Sequence, residues 1–289
     1  MGASTIYKST DTSAPTLLAS QTGLITVLDK VLVDGYGSKS GLGWTKEYQN
    51  AGNTKAAYRN KGTGYFLCVD SSTFPDVYYS SAIITVYEAM KDIDTGYIPM
   101  PDNGNMQYYG WANSQNGTPR DWEIIGDDKG FWICTAAFED DYRSISYFGD
   151  YIPYYLEDQS NWVTWTACGD DDGVQSNILI ITNSSDRIKI KRDQLNALPH
   201  FDADLLIENS FQNYPGNPLR TTRFPMFSKF FFSKDTTTLI GEPPGLYSPL
   251  HDTVQHGDIY SINANADIHI FSIYNIGFAG ILVGEGFRP

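Results

Sequence analysis

The chain is short of charge, and of positive charge most of all. Only 19% of its residues are Asp, Glu, Lys or Arg, and 34 acids against 20 bases leave a net charge of −14. Soluble domains usually carry about 25% charged residues, so uncharged polar side chains must cover much of this surface. The acidic balance argues against binding nucleic acid through its phosphates and against anionic membrane surfaces. No apolar run approaches the roughly 18 residues of a membrane-spanning helix. The opening residues, Met1 to Lys8, lack the charged-then-apolar layout of a secretory signal.

Groups that do chemistry are also scarce. His200, His251, His256 and His269 fit no zinc spacing. Cys68, Cys134 and Cys168 are odd in number, fit no metal spacing and sit in apolar runs, which predicts buried thiols in strands, consistent with a chain that folds in a reducing cytoplasm. No Gly-x-Ser-x-Gly elbow is present. The expectation is no catalytic residue, no metal and no cofactor.

What is abundant is aromatic: 20 Tyr, 15 Phe and 6 Trp, which favour strands and interfaces. Short apolar or alternating runs recur from Tyr58 onward, separated by turn residues. The clearest is a hairpin, Trp122–Gly126 and Phe131–Cys134 around Asp127-Asp128-Lys129-Gly130. One helix is predicted: Leu24, Val27, Leu28 and Val31 fall on a single helical face, with Ser20 or Thr22 to cap it and Gly35 to end it at positive φ. The fold class is therefore mainly β, an antiparallel sandwich or barrel-like architecture with one N-terminal amphipathic helix and long loops.

Three regions follow. Residues 1–16, rich in Ser, Thr and Ala, read as an extended N-terminal arm. Residues 17–195 form the helix plus a β-sandwich domain. Residues 196–289 begin with a Pro-rich connection and end in a C-terminal β region, either part of the same unit or apart from it. Residues 91–119 read as a long surface excursion.

Several constellations invite a chemical reading. Gly35-Tyr-Gly-Ser-Lys-Ser-Gly41 resembles a phosphate loop in composition. A true one runs from strand to helix, so that unpaired N–H groups and the helix dipole meet the phosphate. Here the helix comes first, and the glycines are expected to turn the chain and pack Trp44. Gly169-Asp170-Asp171-Asp172-Gly173 lacks the spacing of a calcium loop. Glu88 and Glu123 lie in apolar runs and are the carboxylates a glycosidase reading would select. Arg187–Arg192 is the one basic stretch, and its alternation with Ile188 and Ile190 is that of a strand with a charged outer face.

The aromatic clusters are the strongest remaining signal. Tyr78, Tyr79, Tyr108, Tyr109, Trp111, Tyr151, Tyr154 and Tyr155 are the interface candidates, with burial in the core and stacking on sugar rings as the other readings. Trp162 and Trp165, three apart in a strand, should point to opposite faces.

The stretch Leu24–Lys39 (Leu-Ile-Thr-Val-Leu-Asp-Lys-Val-Leu-Val-Asp-Gly-Tyr-Gly-Ser-Lys), followed by Gly43-Trp44-Thr45-Lys46, resembles a family of virion structural proteins of tailed bacteriophages. Gly64–Asp70, Tyr87–Gly96 and Gly245–His251, near Gly257-Asp258, agree with it in the same order. The resemblance implies a virion component without placing it within the virion; the expectation is a non-enzymatic structural part of the neck or collar, tail or baseplate. Its partners would be other virion proteins and copies of itself, with a receptor or host-glycan module, or a head decoration protein, as alternatives. Assembly in the host cytoplasm followed by lysis would place it in the virion without a signal peptide.

Overall fold

The computed structural model describes residues 2–72, 80–100, 107–112, 117–136, 143–154, 161–170, 173–181, 227–229, 232–233, 239–249, 254–273 and 277–288. Within these the protein is mainly β, with antiparallel sheets and one short helix, as the sequence pattern predicts.

The first strand, β1 (Gly2–Lys8), precedes α1 (Gly23–Leu28). The expected apolar stripe of α1 is buried: Leu24, Val27, Leu28 and Val31 all lie in the core. Thr22 makes no side-chain cap, and Thr26 Oγ1 instead donates back to Thr22 O (2.9 Å). After Leu28 the helix widens into a π turn over Asp29–Asp34, closed by Gly35 N donating to Lys30 O (2.7 Å). Gly35 takes φ +80°, as anticipated for a glycine ending a helix.

A six-stranded sheet follows: β2 (Thr45–Gln49), β3 (Lys55–Arg59), β4 (Phe66–Asp70), β5 (Ser80–Asp92), β6 (Thr95–Met100) and β7 (Gln107–Ala112). The first five form a meander. β5 is 13 residues long, so one of its edges holds both β6, along Val86–Asp92, and β7, along Ser80–Ile84. Residues 95–100 and 107–112 are thus strands, which corrects the reading of 91–119 as a surface excursion. Its Gly and Pro suggested a loop, but β5 offers a long edge on which even Pro99 is paired, opposite Tyr87.

The large sheet takes β8 (Trp122–Gly126), β9 (Gly130–Ala136), β10 (Arg143–Asp150), β11 (Trp162–Asp170) and β12 (Gly173–Ile181), then β13 (Phe227–Lys229), β14 (Leu246–Pro249), β15 (Ile259–Asn263), β16 (Ala266–Ile273) and β17 (Gly277–Arg288). Its order is β12-β11-β10-β9-β8-β1-β17-β14-β13, with β16 and then β15 branching from the other edge of β17. The predicted hairpin is present, with Trp122 opposite Thr135 and Gly126 opposite Phe131.

β1 sits in the middle of this sheet. It pairs Thr5–Lys8 with β8 and Gly2–Ser4 with β17. Residues 2–8 are therefore not an extended arm but the seam that joins the C-terminal strands to the rest. The 196–289 region accordingly contributes to the same sheet as the earlier strands.

The main core lies between the two sheets under the helix. The six-stranded sheet contributes Tyr58, Leu67, Val69, Ile84, Tyr109 and Trp111; the large sheet contributes Tyr7, Trp122, Ile124, Phe131, Phe148 and Trp162. On the other face of the large sheet Trp132, Tyr147 and Trp165 form a second aromatic group. Trp132 Nε1 donates to Pro244 O (2.8 Å), where the sheet curls so that β10 and β16 come together as a half-barrel.

Candidate functional site

Residues 38–43 of the loop that resembled a phosphate binder line a cleft of about 980 Å³ together with β1, the turn after β8, Lys61 and Arg288. The loop's backbone shows what it does. Tyr36 and Lys39 exchange two hydrogen bonds of 2.9 Å, closing a tight turn. Leu42 N donates to Val31 O, and Gly43 N and Trp44 N both donate to Leu32 O. These N–H groups satisfy carbonyls that the π turn leaves open. A phosphate loop needs its N–H groups directed outward; here they cap the preceding helix.

The lysine of the loop is also occupied. Lys39 Nζ donates to Asp11 Oδ2 (2.5 Å) and to Ile6 O (2.8 Å). Tyr36 Oη donates to Asp11 Oδ2 (2.8 Å), and Tyr7 Oη donates to Ser40 O. Burial pushes the Asp11 carboxyl up, but hydrogen bonds from Lys39, the Lys8 N–H and Tyr36 outweigh it and hold it below the usual carboxylate range. Burial pushes the Tyr7 phenol up to about 12, so it stays a neutral donor. Gly41 passes so close to Val33 that a Cβ would stand 2.3 Å from its carbonyl oxygen. As the sequence suggested, the turn delivers Trp44 to the core. Its ring meets Phe131 and Trp162 edge-on at 5.5 and 6.1 Å, and its Nε1 donates to Asp127 O (3.1 Å).

The wall formed by β17 carries a buried ionic clasp. Arg288 Nε donates to Asp127 Oδ2 (2.6 Å), Nη1 to Asp150 O (2.8 Å) and Nη2 to Tyr147 Oη (2.7 Å). Tyr147 Oη in turn donates to Asp150 O (2.5 Å). The Asp150 carboxylate accepts from Asn60 Nδ2 (2.7 Å), Thr63 Oγ1 (2.8 Å) and Thr63 N (2.9 Å). Burial raises the Asp150 pKa above its ordinary value, with the Asn60 and Thr63 bonds opposing it. Burial works against the Arg288 charge, but Tyr147 and Asp127 outweigh it and keep the guanidinium firmly charged. This network fastens four segments: the β3–β4 loop, the β8–β9 turn, the end of β10 and the end of β17.

The chemistry of the cleft is therefore one of closed pairs. Asp127 answers Arg288, Asp11 answers Lys39, and Asp128 lies 3.9 Å from Lys61 in a solvent-exposed pair. Glu88 and Glu123 are not brought together as a catalytic pair would be: Glu88 is in the six-stranded sheet, while Glu123 is in the large sheet with Lys8 at 3.4 Å. Among the described residues no group of three or more His, Cys, Asp or Glu is placed to hold a metal. Cys68 and Cys134 are buried, and burial pushes Cys68 up to about 12, too high for a ready nucleophile.

The aromatic candidates divide sharply. Tyr109, Trp111 and Tyr151 are each 0% exposed, which corrects their reading as interface residues: they are core. Trp111 Nε1 donates to Leu18 O (3.0 Å), and Tyr109 Oη lies 3.1 Å from Thr135 Oγ1, so even their polar tips face inward. Tyr154 is exposed, with its hydroxyl 3.1 Å from Glu242 Oε2. Tyr108 lies in β7. Tyr78, Tyr79 and Tyr155 fall outside the described residues, as do Arg187–Arg192 and the 171–172 turn. Trp162 and Trp165 do point to opposite faces, but both are buried. The Arg288 clasp was missed entirely; an arginine beside a terminal proline carries no motif, and its partners are 138 to 161 residues away.

No protein-family model matches the chain, and no curated protein matches it in sequence.

Proposed function

We propose that the protein is a non-enzymatic structural component of a tailed-phage virion, seated in the neck or collar, the tail or the baseplate. It works as a homo-oligomer that docks to other virion proteins. The sequence resemblance supports this reading. The observation that carries it is the state of the cleft: its loop N–H groups cap a helix, and its carboxylates answer cations of the chain itself. A frame whose polar groups are matched internally acts by burying surface against neighbours. Virion parts repeat in symmetric sets, so modest contacts multiply. Burial of Tyr109, Trp111 and Tyr151 weighs against host glycans stacking on those clusters, since a ring without an open face has nothing to stack on.

Mass spectrometry of purified, washed particles of the encoding phage tests the proposal. The expected result is the chain at a fixed copy number per particle, located by image reconstruction in the neck, tail or baseplate. Its absence from particles would overturn the reading.

A further inference from the structure

We infer that the cleft between residues 38–43, β1 and the β8–β9 turn receives an extended, carboxylate-rich peptide segment of a partner protein. The inference rests on the docking role proposed above and names the kind of segment that docks. The charges of the cleft run against those of the chain. Its lining holds four bases, Lys39, Lys61, Lys129 and Arg288, against two acids, Asp127 and Asp128, whereas the chain has 34 acids and 20 bases.

Internal pairing leaves donors over. Asp127 is saturated: Oδ2 accepts from Arg288 Nε (2.6 Å), and Oδ1 accepts from Lys129 N and Gly130 N (2.9 Å each). Lys39 is held by Asp11 and Ile6 O. Among the described residues the exposed ammonium of Lys129 has no acidic partner. Lys61, 61% exposed, has only Asp128, at 3.9 Å and beyond hydrogen-bond reach. Against these two lysines stands one loosely held carboxylate. The unspent capacity suits a ligand that brings negative charge.

Shape narrows the class. About 980 Å³ lies at the upper end of the roughly 300–1,000 Å³ of small-ligand clefts, far more than one inorganic anion fills. Gly2, Gly41, Gly43 and Gly126 leave bare backbone along the lining, which lets a second main chain come close. Lys61 Nζ reaches across to Gly43, 2.9 Å from where a Cβ there would stand. Tyr7 is the one ring in the lining and is 2% exposed, so no open aromatic face is offered to a sugar. Exposed charges farther than about 8 Å are screened at physiological salt. A short acidic segment therefore meets the local surplus of lysine, whereas a long polyanion meets the −14 of the whole chain. Exposed ion pairs are individually weak, and the contact belongs to the class that repeated assembly makes effective.

The test uses the purified full chain and a fluorescein-labelled hexaglutamate peptide, read by fluorescence anisotropy at neutral pH. Binding should appear with a Kd of about 1 mM or tighter, and labelled hexalysine should not bind. The pair Lys61→Glu and Lys129→Glu should weaken it at least fivefold and leave thermal unfolding unchanged. Lys129→Gln, which disturbs no pair, should weaken it about twofold. Lys91→Glu, exposed on β5 of the other sheet, should leave it as it was. No binding at 1 mM overturns the inference, as does a loss as large on Lys91→Glu as on the double variant. Free glutamate or inorganic phosphate competing as well as the peptide, mole for mole, also overturns it, since the cleft would then take an anion and not a segment. None of these results touches the virion assignment, which particle composition decides separately.

Discussion

The two cores of this protein are built from different materials. Between the sheets, Trp44, Trp111, Trp122 and Trp162 interlock with Tyr58, Tyr109, Phe131 and Phe148. Under the C-terminal strands the buried cluster is Val254, Ala266, Ile268, Ile270 and Leu282, with Tyr247 and Tyr260 only partly covered. Large rings bury more area per residue and add edge-to-face contacts, so the first core anchors the fold. The second is thinner, it lies beside the strand that leaves Ile259 and Ile262 in solvent, and β1 and Arg288 tie it to the first. The difference divides the molecule into a region packed by interlocking rings and a thinner aliphatic one.

The comparison predicts its largest effect in the aromatic core. Trp44→Ala should cost about 3–5 kcal/mol, because it removes ring contacts to Phe131 and Trp162 and leaves Asp127 O without its donor. Denaturant unfolding measures it, and a loss no greater than that of Ile268→Ala would break the contrast.

Next in size is the tie between the regions. Arg288→Ala removes one side of a buried pair and should cost about 3–5 kcal/mol, because Asp127 then remains without its cation. Adding Asp127→Asn should return much of that loss. If the double variant is as unstable as the single, the clasp is not acting as a charge pair.

A smaller effect depends on pH. His269, in β16, is 9% exposed, and burial with the nearby Lys8 charge lowers its pKa from 6.5 to about 4. The folded protein thus holds this imidazole neutral where the unfolded chain protonates it, and stability should fall as pH drops from about 6.5 toward 4. Asp150 has the opposite sign. Its raised pKa lets the folded state bind a proton more readily than the unfolded one, a contribution present at acid pH and lost as pH rises through the folded value. His269→Leu should flatten the stability profile in the His269 window; an unchanged profile would remove that residue from the acid response.

The smallest effect expected is at Tyr97, which is exposed in β6. Tyr97→Ser should shift stability by no more than about 0.5 kcal/mol. A large loss would mean that this ring is held by something more than its own strand.

Local signals in the sequence were enough wherever a pattern and its punctuation lay together. The β8–β9 hairpin was legible because Asp127-Asp128-Lys129-Gly130 separates two apolar runs, and Asp127 Oδ1 accepts from Lys129 N and Gly130 N, each at 2.9 Å. The stripe of α1 was legible for the same reason, whereas its passage into a π turn depends on carbonyls capped from Leu42 to Trp44. Residues 2–8 looked like an arm because a Ser- and Thr-rich strand becomes a central one only through distant partners, β8 and β17. The aromatic clusters looked like surface because local composition does not reveal that a second sheet covers Tyr109 and Trp111. Of the candidate site, the structural role of the glycine loop could be argued from element order alone, but the clasp could not.

The seam at β1 also bears on how the molecule comes into being. Ser4 Oγ donates to Leu282 O across 278 residues of sequence. On a ribosome, the strand threaded through the middle of the large sheet must keep one flank open until β17 has been made. Closures over such separations are slow. The delay leaves a long interval in which nascent neighbours on one polysome could exchange that strand before each seals its own.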